Sequence, residues 1–251
     1  MIHSFLMIGQ SNMAGRGFKE DVEPIKNSRI KVLRNGRWQK MYVPVNPDRP
    51  FSGISLVESF ADAYAREHNV DVGLIPCADG GTSLDQWQVG GLLFSNAIYQ
   101  GSLASRTSTI AGILWHQGET DCQEHLYGQY EEKCTAILEA FRERLGLQDV
   151  PVLLGGLGDY LQDRTEDPYL GKNYRAVNHA LQEIARKHEM YGYVSAEGLT
   201  SNPDNLHFCA KALREFGIRY YQEFKKLERP DKVFFEKPEA DAAVKSAMEL
   251  L

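Results

Sequence analysis

Short apolar, β-rich runs recur along the chain at Phe5 to Ile8, Val72 to Pro76, Ile110 to Trp115, Val152 to Leu157 and Tyr191 to Val194. Between them, apolar residues repeat at helical spacing, which predicts helices over Ser55 to His68, Phe94 to Ser105, Tyr127 to Leu145, Asn173 to His188 and Phe208 to Leu227. Strands alternating with helices of this length imply crossover connections, and crossovers imply parallel strands. The expected class is α/β: a three-layer α/β/α sandwich whose parallel sheet is covered on both faces. Residues Gly17 to Ser52 show no strong periodicity and hold Pro24, Pro44, Pro47 and Pro50, so they read as a long substrate-facing loop after the first strand. One domain over residues 1–229 is the simplest division. A charged, Ala-rich tail follows over 230–251, in which Pro238 to Leu251 either form a terminal helix or fray.

Composition narrows the function by exclusion. With 28 basic residues against 34 acidic ones, the chain carries a formal charge of -6, and its basic residues are scattered. Nothing there would neutralise a phosphate backbone, so nucleic acid is not expected as a partner. No apolar run approaches a membrane span, and the opening Met1 to Ile8 lacks a basic stretch and a small-residue cleavage site. It reads as a first strand, which makes a cytoplasmic chain the expectation, or a secreted one if a signal once preceded it. Cys77, Cys122, Cys134 and Cys209 are widely spaced, without C-x-x-C pairs, and are expected as free thiols rather than a zinc site or disulfide frame.

In an open parallel sheet, ligands bind beyond the carboxyl ends of the strands. Three predicted strands run directly into polar, Gly-rich segments: Gly9-Gln10-Ser11-Asn12-Met13-Ala14-Gly15, Ala78-Asp79-Gly80-Gly81-Thr82-Ser83 and His116-Gln117-Gly118-Glu119-Thr120-Asp121. A fourth polar segment, Asp204-Asn205-Leu206-His207, precedes the last predicted helix. Singly, each has a bland explanation: Ser11 and Asp204 as helix caps, Gly80-Gly81 as a tight turn, Gln117 as a loop-ordering amide. The Ser11 segment matches neither a P-loop nor the dinucleotide fingerprint. A D-x-x-H turn, however, can bring the Asp204 carboxylate to Nδ1 of His207 and leave Nε2 free for a nucleophile. A serine hydroxyl needs such a base. Backbone N–H groups of Ser11 and a glycine, with an amide side chain such as Gln117, would then suffice for an oxyanion.

Taken together, Gly9-Gln10-Ser11-Asn12-Met13, Gly80-Gly81-Thr82-Ser83 with Trp87, Trp115-His116-Gln117-Gly118-Glu119-Thr120-Asp121 and Asp204-Asn205-Leu206-His207 resemble the SGNH hydrolase superfamily. Within it they are similar to the sialate O-acetylesterase and acetylxylan esterase branch, carbohydrate esterase family 6, over roughly residues 1 to 225. The resemblance implies a flavodoxin-like sandwich, Ser11 as nucleophile, and Ser11, Gly81 and Gln117 as oxyanion donors. Gln117 stands where most of the superfamily has Asn, a swap that preserves an amide donor. Arg16 and Arg175 are candidates for substrate contact, and Trp87 and Trp38 for flat faces against a sugar ring. Two carboxylates compete to orient His207: Asp204, favoured by chain proximity, and Glu119.

The reaction implied is acyl transfer from an acetylated carbohydrate through an acetyl-serine, with no cofactor and no metal. Acetylated xylan is the first expectation and O-acetylated sialic acid the alternative; an inactive carbohydrate-binding module on the same fold, or a phosphate- or flavin-binding flavodoxin-like protein, are readings from other classes. Oligomeric state is not indicated by the sequence.

Overall fold

The computed structural model describes residues 1–234. Strands β1 (Ile2–Gly9), β2 (Ile30–Arg34), β3 (Arg37–Lys40), β4 (Asp71–Pro76), β5 (Thr109–His116), β6 (Val152–Gly155) and β7 (Tyr191–Val194) form one sheet in the order β3-β2-β4-β1-β5-β6-β7. The helices are α1 (Ser11–Ala14), α2 (Val57–His68), α3 (Leu92–Ala104), α4 (Tyr130–Leu145), α5 (Pro168–Lys187), α6 (Ala210–Leu227) and α7 (Pro230–Val233). Every strand and long helix expected from the hydrophobic pattern is present, and the class is the α/β sandwich. Pro238 to Leu251 lie outside the described residues. Among the described residues no helix is long and apolar enough to cross a membrane.

The sheet is not wholly parallel, because the excursion between Gly17 and Ser52 contributes β2 and β3. Asn35 and Gly36 both adopt positive φ (51° and 72°), which closes a two-residue hairpin whose twist matches its strands. β2 joins the sheet parallel to β4, and β3 pairs antiparallel to β2 at the edge. The charged residues Arg37 and Lys40 discourage a further strand from adding there.

Alternation along β1 divides the interior. Leu6 and Ile8 face one layer with Phe94, Phe141 and Leu181 from α3, α4 and α5. Phe5 and Met7 face the other with Phe60 and Tyr64 of α2 and Phe216 and Phe224 of α6. Each fully buried aromatic or aliphatic side chain contributes about 1.5–3 kcal/mol relative to exposure, so the two apolar layers carry the fold and leave the strand ends free for polar groups.

Local signals set the helix ends. Asp167 accepts hydrogen bonds from the N–H groups of Tyr169 and Leu170, and Pro168 occupies the first turn, so α5 begins five residues before the expected Asn173. Gly146 ends α4 in a left-handed conformation.

Without the β2–β3 hairpin the strand order is that of a doubly wound sheet. β4 and β5 flank β1, so the loops leaving all three open at one edge of the sheet. Gly9 makes the tightest of these exits. Its φ is +133°, and a Cβ there would lie 2.0 Å from the carbonyl oxygen of His116. With no side chain, the Gln10 N–H can donate to that carbonyl at 2.9 Å and turn the chain into α1.

Candidate active site

Ser11 is the first residue of α1, and His207 and Asp204 belong to the loop between β7 and α6. Ser11 Oγ lies 3.0 Å from Nε2 of His207, and Nδ1 of the same ring lies 2.6 Å from Oδ2 of Asp204. The other Asp204 oxygen accepts the backbone N–H groups of Leu206 and His207, both at 3.0 Å. The residue is thus both the turn's Asx cap and the partner of the ring, two roles compatible in the sequence, but it does not cap α6, whose N-cap is Cys209. Burial opposes ionisation of Asp204, but hydrogen bonds from the His207 ring and from the two N–H groups outweigh it and hold the carboxyl well below the usual carboxylate range. The ring is therefore held in the tautomer with its proton on Nδ1, and Nε2 is left to accept from the serine hydroxyl.

Asn12 ties this constellation together. Its Nδ2 donates to Oε1 of Glu119 at 2.5 Å and to the Leu206 carbonyl at 3.2 Å, while its Oδ1 accepts the N–H of Phe208 at 3.0 Å. The residue after the serine thereby fixes the histidine loop. Glu119 is consumed in this support: it is buried between Asn12 and Nε2 of His116, the latter at 3.4 Å. Its burial is more than offset by the attraction of His116 and by hydrogen bonds, so its carboxyl also sits below the ordinary range. Glu119 borders the cleft, and of the two competing carboxylates it is Asp204, the one favoured by chain proximity, that hydrogen-bonds the His207 ring.

A buried charge pair positions the loop after β4. Arg16 donates to both oxygens of Asp48, at 3.0 and 2.7 Å, and both side chains are almost fully enclosed. Oδ2 of Asp48 also accepts the N–H of Gly80 at 2.9 Å, and Arg49 donates to the Gly80 carbonyl at 2.9 Å and to Asp79 at 2.8 Å. Gly80 is clamped on both its N–H and its C=O. Gly81, with φ +77°, has no acceptor for its N–H among the described residues. The N–H of Ser11, at the first position of a helix, likewise has no intrahelical acceptor. Both residues line the cleft. Asp48 and Arg49 carried no signal in the sequence, because they come from the Pro-rich excursion and meet Gly80 only through tertiary structure.

Four other expected site residues are placed elsewhere. Gln117 is fully buried, and its amide donates to the Thr82 carbonyl at 3.0 Å and to the carboxylate of Asp121. In a dry interior those acceptors capture the amide, so in this conformation Gln117 joins the loops after β4 and β5 instead of lining the cleft. Burial pushes Asp121 up to about 6 despite the hydrogen bonds from Gln117 and from the Leu84 N–H. Trp87 is fully buried, with Nε1 donating to Thr82 Oγ1 at 3.0 Å and its ring edge-on to Trp115, so no face is left for a sugar. Arg175 is exposed on α5, donating to Gln162 at 2.9 Å, away from the cleft. Trp38, on β3, donates to Thr107 at 3.0 Å and also lies outside the site. Arg16 does reach the cleft, but as the partner of Asp48.

The cleft at Ser11 holds about 400 Å³, and Ser11, His207, Gly80, Gly81, Arg16 and Phe51 line it together with Thr120, Gln123, Asp167 and Arg164. A serine, histidine and aspartate in hydrogen-bonded sequence, beside free backbone donors at the carboxyl edge of a doubly wound sheet, define an SGNH-type hydrolase. The model of the family described as "Carbohydrate esterase, sialic acid-specific acetylesterase" matches residues 1–226, and the chain belongs to that family. It is 27% identical over 246 residues to a protein of Arabidopsis thaliana described as a "probable carbohydrate esterase", covering 88% of this chain and 89% of the relative. A solved structure of an Arabidopsis thaliana protein superposes with a TM-score of 0.80 at 26% identity, over 90% of this chain and 99% of that one. A carbohydrate acetylesterase from Xanthomonas citri shares the fold, with a TM-score of 0.68 at 17% identity, over 90% of this chain and 56% of that one.

The two carboxylates should separate on substitution. Asp204→Asn is expected to lower kcat by about 10⁴, as when an imidazole is held in the wrong tautomer; Glu119→Gln should lose far less activity. Steady-state kinetics on folded variants decide it, and a larger loss in Glu119→Gln would reverse the assignment. Because the fold depresses Asp204 below its ordinary 3.8, its stabilising contribution is complete above that pH and is lost as the pH falls below it. Asp204→Asn should therefore show less acid destabilisation than the parent in urea titrations.

Gln117→Ala should lower stability by about 1–3 kcal/mol, because it leaves buried acceptors without a donor. Urea denaturation measures this. An unchanged midpoint with kcat reduced about 10² to 10³ would return the amide to the oxyanion.

Proposed function

We propose that the protein is a serine esterase that removes acetyl groups from carbohydrate hydroxyls through an acetyl-Ser11 intermediate. The observation that carries the reading is the unbroken series Asp204, His207, Ser11 at 2.6 and 3.0 Å, opening on a cleft of about 400 Å³. Ser11 Oγ attacks the acetyl carbonyl as His207 Nε2 takes its proton. The carbonyl oxygen gains the negative charge and receives the N–H groups of Ser11 and Gly81. Collapse of the tetrahedral intermediate breaks the bond to the sugar oxygen, which takes the proton from Nε2. Water then repeats the sequence on the acetyl-enzyme and releases acetate. Membership of a carbohydrate esterase family supports the substrate class.

Among acetylated sugars, charge favours a neutral glycan such as acetylated xylan. The three arginines bordering the cleft are already matched: Arg16 with Asp48 at 2.7 Å, Arg49 with Asp79 at 2.8 Å, and Arg164 with Glu166 at 3.6 Å. An anionic sugar would have to compete for them. The family's description favours the second reading, O-acetylated sialic acid. A binding module with an inert site is disfavoured by the assembled triad.

Acetate release from acetylated xylan and from O-acetylated sialic acid separates the two substrates. Ser11→Ala should remove activity on the preferred one by on the order of 10⁶ in kcat while circular dichroism stays native. Near-parental turnover by a folded Ser11→Ala protein would sink the mechanism.

A further inference from the structure

We infer that a groove beside the cleft, walled by Phe18, Phe51, Asn202 and Pro203, seats the pyranose ring of the leaving sugar, with Phe51 as its stacking face. The inference rests on the carbohydrate esterase reading above. The groove holds about 330 Å³ and shares Arg16, Phe51 and His207 with the cleft, so the two depressions meet at the catalytic imidazole. Nε2 of His207 must deliver its proton to the sugar oxygen, and the departing ring therefore lies against His207. This groove is the apolar surface adjoining it.

Phe51 and Phe18 are 69% and 47% exposed, and neither belongs to the two apolar layers of the core. Leaving this much ring surface in water forgoes part of the stabilisation that burial would give, which suits a surface that is covered when substrate binds. The backbone that carries both rings is held in place. The two ends of the excursion are pinned by reciprocal hydrogen bonds between Gly17 and Ile54, at 3.1 and 2.8 Å, which brings Phe18 and Phe51 to the same rim. The Arg16 guanidinium, fixed by Asp48, lies 5.3 Å from the centre of the Phe51 ring and backs it.

The polar atoms fit a sugar too. Asn202 Oδ1 and Arg16 Nε are buried without a hydrogen-bond partner, although Asn202 Nδ2 is anchored on the Arg16 carbonyl at 2.9 Å. One is an acceptor and the other a donor, the two kinds of atom that sugar hydroxyls satisfy, and both residues line the groove. An aromatic face in a groove lined by such residues suits a pyranose, which presents C–H groups on its face and hydroxyls around its edge.

The test compares two acetate esters, an acetylated methyl xyloside and ethyl acetate, which has no ring. Phe51→Leu keeps an apolar side chain but loses the flat face; Phe51→Tyr keeps the face. The ratio of kcat/KM for the sugar ester over ethyl acetate should fall about tenfold in Phe51→Leu, chiefly through KM, and stay within about threefold in Phe51→Tyr, the scale expected of one aromatic contact. An unchanged ratio in Phe51→Leu would overturn the subsite. So would an equal fall in both variants, which would mean that Phe51 acts by shape alone. A parent enzyme that cleaves ethyl acetate but no acetylated sugar would instead overturn the carbohydrate reading itself.

Discussion

The active end of the molecule depends on one buried ion pair, Arg16 with Asp48. It joins the segment after β1, which carries Ser11 and Arg16, to the excursion that carries Asp48, and Asp48 in turn holds the N–H of Gly80 after β4. Desolvating two charges is costly, and the pair endures because the geometry is bidentate and the remaining oxygen capacity is filled by Gly80 and by Ser52 Oγ, at 2.9 and 2.8 Å. Burial alone would raise the Asp48 carboxyl. The hydrogen bonds and charge of Arg16, with those of Ser52 and Gly80, bring it below its ordinary value. What this arrangement secures is position: the clamp uses up the Gly80 N–H and leaves that of Gly81 unengaged at the cleft.

A second division of labour follows from where the triad lies. Phe5, Phe60, Phe216 and Phe224 on one face, and Trp115, Phe141 and Leu181 on the other, supply the apolar burial. Asp204 and His207 stand at the surface end of their loop and contribute little to that burial. Asn12 and Glu119 are the link between the regions, since both are buried and both hold the loops that present the reacting groups. Substitution of Ser11 or His207 should thus act chiefly on chemistry, and substitution beneath them on chemistry and stability together.

Much of this was legible in the sequence. Five strands and five helices followed from hydrophobic period, Ser11, Asp204 and His207 were singled out as polar residues at strand ends or before a helix, and Gly81 was chosen only through the family resemblance. Other features were not, for identifiable reasons. The β2–β3 hairpin was masked by the mostly exposed, largely polar residues of Arg37 to Lys40, although Asn35-Gly36 is itself a hairpin signal. Gln117 and Trp87 have side chains suited to a site, yet their direction is set by Asp121 and Thr82, neighbours that local sequence cannot aim. Asp48 was invisible because its significance lies in contacts with residues 32 positions away in either direction, Arg16 and Gly80.

The central claim is that acetyl transfer passes through Ser11. Rapid acid quenching of the enzyme during turnover of an activated acetate ester, followed by peptide mass spectrometry, tests it most directly. The account predicts one acetyl group on the peptide containing Ser11, absent from Ser11→Ala. Full catalytic turnover with that peptide unmodified, or with the label on another residue whose loss abolishes activity, would contradict it.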